Sequence, residues 1–159
     1  MVQVYVQDVS LNADVPGHAE IKQWAKTTLR ECEYHDVELT IRVVDEPAIS
    51  ALNQRFRSKK GSTNVLAFPF VDPPGLNTNL IGDVVVCAPV IAREAKHSSQ
   101  SLIEHWAHIV VHGVLHLCGY DHQRHVEAQT MQQVECAVLK QLGFSDPYAE
   151  PTIAIGTEK

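Results

Sequence analysis

No C-x-x-C pair occurs among the four cysteines Cys32, Cys87, Cys118 and Cys136, and no secretory signal precedes them. That pattern excludes a disulfide framework and points to a reducing cytosol. No segment reaches the ~18 to 20 uninterrupted apolar residues of a membrane span, and the stretch Met1-Val2-Gln3-Val4-Tyr5-Val6-Gln7-Asp8 lacks a basic n-region. The expectation is a cytoplasmic chain, neither exported nor membrane-embedded. Positive charge is also scarce: the formal net charge is -6, which argues against a general basic surface that coats nucleic acid. No internal repeat, low-complexity tract or linker divides the 159 residues, a length that suits one domain with a core independent of disulfides. Hydrophobic residues at 45% and charged residues at 20% exclude a disordered or collagen-like chain and indicate no function by themselves.

What positive charge there is lies in one place. Arg55, Arg57, Lys59 and Lys60 put four of the 13 Lys and Arg residues into six positions, just before Gly61-Ser62-Thr63-Asn64. Taken alone, such a run reads as a charged loop facing solvent; the alternative is that the Arg57 guanidinium holds a phosphate bidentately beside a cleft.

The periodicities predict alternating elements. Val2, Val4 and Val6 have the period of two of a half-buried strand near 2 to 7. After Pro16, placed at a first turn, Ile21, Trp24, Ala25, Thr28, Leu29 and Cys32 recur at helical spacing. A strand over Val37 to Val44 follows, then a short helix from Asp45 through Phe56. Asn64 to Phe70 and Leu80 to Cys87 read as a hairpin around Asp72-Pro73-Pro74-Gly75. Residues 89 to 97 form a helix; Ser101 and Glu104 make a capping box that opens another; and Val126 to Leu142 is the last, stopped by Gly143. The single domain spans 1–145, and the tail 146–159 has no periodicity.

The chemistry is concentrated in His112-Gly113-Val114-Leu115-His116-Leu117-Cys118-Gly119-Tyr120-Asp121-His122. On a helix begun at Ser101, His112 and His116 lie one turn apart on one face, ~6 Å in rise. Gly119 can leave the helix with positive φ and let His122 return to the same point. Three imidazoles leave a fourth tetrahedral position for water, the mark of a catalytic rather than a structural zinc. Nickel, copper or iron would also suit such donors. Trp106, Ile109, Val110, Val111, Val114, Leu115 and Leu117 make the helix central and buried, so its histidine face is expected to open onto a cleft. His105 is too far along the axis to join the ion. His108 suits a cleft or outer-shell role, with simple packing an equal alternative, and Cys118 suits core packing rather than ligation.

The spacing equals that of the metzincin proteases, in which a glutamate general base follows the first His. Here that position is Gly113, so a metalloprotease is disfavoured, and phosphodiester hydrolysis assisted by metal and Arg fits better.

With His112-Gly113-x-Leu115-His116-Leu117-x-Gly119-Tyr120-Asp121-His122, the segment Asn53 through Leu66, and Gly82-Asp83, the sequence resembles the YbeY-type bacterial endoribonucleases, or rRNA maturation factors, over most of residues 35 to 145. The resemblance implies a single-domain α+β metalloprotein with a small mixed sheet; the patterns above supply about four strands and about five helices around the central His-bearing helix. It implies a zinc-dependent endoribonuclease acting on single-stranded RNA, in rRNA 3′-end maturation and ribosome quality control, with the small ribosomal subunit and its proteins as partners. His112, His116 and His122 are then the ligands of one Zn2+, and Arg57 is the catalytic or phosphate-holding residue. The family often has an acidic residue and a proline where this chain has Lys60 and Ser62, which bears on the shape of the Arg57 loop. A ribosome-assembly or RNA-binding factor whose metal maintains the fold, with incidental nuclease activity, is the alternative.

Overall fold

The computed structural model describes residues 1–12, 14–120 and 125–148, of which 125–127 are described by backbone alone. In chain order the elements are β1 (Gln3–Asp8), α1 (His18–Glu31), β2 (Glu38–Val44), α2 (Glu46–Arg57), β3 (Val65–Pro69), β4 (Leu80–Cys87), α3 (Ala88–Lys96), α4 (Leu102–Leu117) and α5 (His125–Gln141). The sheet order is β1-β2-β4-β3. β1, β2 and β4 run parallel, and β3 returns antiparallel to β4 as the expected hairpin, with Leu66 opposite Val85. The fold is thus the α+β single domain, with five helices on a four-stranded mixed sheet among the described residues.

Side-chain alternation divides the core into two layers. Leu39, Ile41, Val43, Val84 and Val86 face α1, α4 and α5 in the larger cluster, which also holds Trp24, Trp106 and Leu139. Val85, Cys87 and Leu66 face the other way, where Ile49 of α2 packs with them. The run Val84-Val85-Val86-Cys87 is buried on both faces, as befits a strand with a neighbour on either side and helices above and below.

Helix starts follow local chemistry. Ser101 Oγ accepts from Glu104 N at 3.2 Å while Glu104 Oε1 accepts from Ser101 N at 2.9 Å, so the capping box at the start of α4 is as expected. At α1 the expectation needs correction. The N-cap is Gly17, whose N–H donates to Glu20 Oε1 at 3.2 Å, so Pro16 lies just outside the helix rather than in its first turn. This one-way hydrogen bond from Gly17 to Glu20 closes the helix start, and His18 is the first helical residue.

Candidate metal centre

α4 crosses the sheet at close range, and Gly113 makes that approach possible. A Cβ built there would stand 2.6 Å from Val84 Cγ1 and 2.9 Å from Val65 Cγ2. The side chain at position 113 is therefore limited to a hydrogen atom, while His112 and His116, on either side of it along α4, are part-buried and reach a cleft. Together with Arg57, Lys59, Asn64 and Tyr120 they line a cleft of ≈ 590 Å³. Their rings meet edge-on at 4.7 Å, and His112 Nε2 lies 3.1 Å from His116 Nε2. Two nitrogen donors at tetrahedral positions on one zinc, with bonds of ~2.0 to 2.1 Å, stand roughly 3.3 to 3.4 Å apart. The observed pair fits that spacing.

α4 ends at Leu117, and Gly119 follows with φ 101, a left-handed value that glycine alone adopts freely. Tyr120 N donates back to Leu115 O at 3.1 Å, so the chain has turned away from the helix axis by the time it reaches the cleft wall. The expected third donor, His122, lies outside the described residues.

Behind the histidines sits a carboxylate that sequence reasoning missed. Glu135 of α5 has 0% exposure, yet no lysine or arginine is paired with it among the described contacts. Its Oε2 accepts from His112 Nδ1; its Oε1 lies 3.3 Å from His108 Nε2 and accepts the Tyr148 hydroxyl. Burial alone would push this carboxyl up, but the hydrogen bonds from His108 and His112, the electrostatic pull of His112 and the Tyr148 hydroxyl outweigh it and hold the group at about 2. Burial and the bond to Glu135 in turn push the Tyr148 phenol up. His108, His112 and Glu135 also form a group able to hold a metal ion, each with one donor atom within 4.8 Å of the others. His108 Nδ1 is buried with no hydrogen-bond partner. The signal was present in the sequence: Met131, Glu135, Val138 and Leu139 recur at helical spacing, and an acid within a buried stripe requires a partner.

The basic loop leaves α2 through Ser58, and two contacts tie it to that helix. Asn53, buried at 5% exposure, donates from Nδ2 to Gly61 O at 3.1 Å, and its carbonyl accepts from Lys59 N at 3.3 Å. Ser62 Oγ stands 3.4 Å from both Glu46 Oε1 and Ser50 Oγ, and Glu46 pairs with Arg93. These side-chain contacts tie the basic loop to the start of α2. Arg57 and Lys59 reach the cleft wall, whereas Arg55 turns back over the Phe56 ring, 5.2 Å from its centroid. Asn64 is held by Glu94, which accepts from Nδ2 at 3.1 and 3.3 Å, and His105 Nε2 lies 2.8 Å from the same carboxylate. His105 therefore belongs to the support of Asn64, and His108 to that of Glu135. Cys118 packs against the core, with its thiol hydrogen-bonded to Cys32.

Among known proteins, residues 7–143 match the family described as endoribonuclease YbeY. The chain is 44% identical over 146 residues to endoribonuclease YbeY of Alteromonas mediterranea, covering 92% of each chain. To endoribonuclease YbeY of Nitrosococcus oceani it is 46% identical over 149 residues, covering 92% of this chain and 97% of that one. A Thermotoga maritima protein known from a solution structure shares the fold, with a TM-score of 0.56 and 23% identity over 94% of this chain and 100% of that one. No helix among the described residues is long and apolar enough to cross a membrane.

Proposed function

The chain belongs to the YbeY endoribonuclease family, and from that membership we propose that it cleaves single-stranded RNA at a zinc centre held by His112, His116 and His122, with Arg57 on the scissile phosphate. It is a hydrolase acting on RNA. The single observation that carries the site assignment is the 3.1 Å separation of His112 Nε2 and His116 Nε2 in a cleft that Arg57 also lines.

When bound, the zinc supplies Lewis acidity toward the phosphodiester and its attacking oxygen. The protein's own groups do the rest. Arg57 grips non-bridging phosphate oxygens with two parallel N–H donors and offsets the negative charge that grows on them as the bond to the leaving oxygen breaks. Lys59 adds a second cation along the RNA backbone, and Asn64, held by Glu94, presents a fixed polar group on the facing wall. Peptide hydrolysis has no support: the place of a protease's glutamate is Gly113, and Val84 and Val65 leave no room there for any side chain.

The substrate in the cell is proposed to be rRNA at its 3′ end, with the small ribosomal subunit as partner and the cytoplasm as the compartment. The test uses purified protein, elemental analysis, and defined single-stranded and duplex RNAs. His116→Ala is expected to lose bound zinc and cleavage together. Arg57→Ala is expected to keep zinc and lose about 100- to 1,000-fold in cleavage rate, as for removal of one charge-stabilising donor. Full RNase activity in His116→Ala would overturn the proposal. Loss of fold on zinc removal, with cleavage no longer dependent on Arg57, would instead favour a metal that only maintains the structure.

A further inference from the structure

The hydrogen bonds around Glu135 continue into the segment after the last helix, past residue 143 where the family match ends. Phe144 N donates to Leu139 O at 2.8 Å, and its ring meets Trp24 edge-on at 6.2 Å, which folds the chain back onto the core. Ser145 Oγ then donates to Glu104 Oε2 at 3.3 Å, and Asp146 Oδ1 accepts from Cys136 Sγ at 3.0 Å and from Tyr148 N at 2.8 Å. Because Cys136 follows Glu135 directly, this turn delivers Tyr148 to the buried carboxylate. The Tyr148 hydroxyl donates to Glu135 Oε1 and lies 3.2 Å from His108 Nε2, with the two rings edge-on at 5.3 Å.

The two oxygens of Glu135 therefore have separate duties. Oε1 is held by Tyr148 and His108, which leaves Oε2 directed at His112 Nδ1. A carboxylate only accepts hydrogen bonds, so His112 must carry its proton on Nδ1 and turn the lone pair of Nε2 toward the cleft, where His116 Nε2 stands 3.1 Å away. A neutral imidazole without such a partner can take either tautomer, and one of the two presents an N–H where a cation needs a lone pair.

We propose that Glu135 and Tyr148 are positioning residues for the metal centre: Tyr148, from the segment beyond α5, holds one oxygen of Glu135 so that the other fixes His112 in the tautomer and ring orientation that presents Nε2 to the ion. Outer-sphere carboxylates of this kind also raise the basicity of the ligating nitrogen and strengthen metal binding. The inference rests on His112 being a ligand.

The experiment combines zinc affinity by chelator competition with 15N NMR of the histidine side chains in the metal-free full-length protein. In the wild type, His112 is expected to show a protonated Nδ1 and an unprotonated Nε2. Glu135→Gln, nearly isosteric, is expected to lose that bias and to weaken zinc binding about 10- to 100-fold. Tyr148→Phe, which removes one hydrogen bond, is expected to weaken it about fivefold. Folded Glu135→Gln protein with wild-type zinc affinity and unchanged His112 shifts, alongside a His112→Ala protein that loses zinc, would overturn this inference while leaving the metal site standing. A His112→Ala protein that binds zinc as the wild type does would overturn the metal reading and the inference with it. Should Glu135→Gln not fold, Tyr148→Phe decides, and wild-type zinc affinity in that protein overturns the proposed role.

Discussion

The two glycines of the histidine motif are required for different physical reasons. At Gly113 the limit is space: an added Cβ meets Val84 and Val65 side chains at 2.6 and 2.9 Å, inside the buried seam between α4 and the sheet. At Gly119 nothing lies within 4 Å of such a Cβ, and the limit is the backbone, with φ 101. Gly113→Ala is accordingly expected to destabilise the fold by about 1 to 3 kcal/mol, as for overpacking of a close-fitting core. Gly119→Ala is expected to lose about 1 to 2 kcal/mol through strain alone. Urea unfolding of both variants checks this, and a Gly113→Ala protein as stable as the wild type would show that the helix can lift from the sheet without loss. Arg57 contrasts with both. It is exposed, its neighbours do not depend on it for packing, and Arg57→Ala is expected to leave unfolding within about 0.5 kcal/mol of wild type while activity falls.

Among the elements, α4 carries the histidines and depends on its first turn to hold their register. Ser101 and Glu104 satisfy each other's backbone N–H, and Glu104 also accepts from Ser145 Oγ at 3.3 Å, which joins the start of the helix to the segment that carries Tyr148. Ser101→Ala is expected to lose about 1 kcal/mol of stability. Hydrogen bonds from the Ser101 backbone outweigh the modest effect of burial and hold the Glu104 carboxyl below its ordinary value of 4.5. A carboxyl lowered in the folded state contributes stability that is present above 4.5 and is lost as pH falls through and below that value. Glu104→Gln keeps the reciprocal cap without the titrating group, so its thermal midpoint is expected to fall less steeply than the wild type's between neutral and acid pH. Equal slopes in the two proteins would remove Glu104 as a contributor. Helix α5 has a second duty beyond packing, because its buried stripe Met131, Glu135, Val138 and Leu139 places an acid among apolar residues, behind the imidazole of His112.

Across the whole molecule, an acidic chain of net charge -6 gathers Arg57 and Lys59 at the cleft that His112 and His116 also line. That distribution favours local capture of a polyanion over general adhesion to nucleic acid, and cleavage is expected to weaken steeply with added salt as counterions compete at those phosphates. Zinc at 100 times its dissociation constant is expected to stabilise the wild type by about 2.7 kcal/mol, and to raise its thermal midpoint accordingly. His116→Ala should lose that shift, and an equal shift in the variant would place the ion elsewhere. By itself the sequence determined the element types, the hairpin, the α4 cap and the one-turn spacing of His112 and His116, because periodicity, capping and turn residues act over a few positions. The close contact of Gly113 with Val84, the tether of Ser62 to Glu46, and the convergence of Glu135 and Tyr148 on His112 were decided only by tertiary structure. Each joins residues whose separation along the chain bears no relation to their separation in space: packing of α4 between the sheet and α5 brings the first and third together, and the loop after α2 makes the second by returning to the start of that helix.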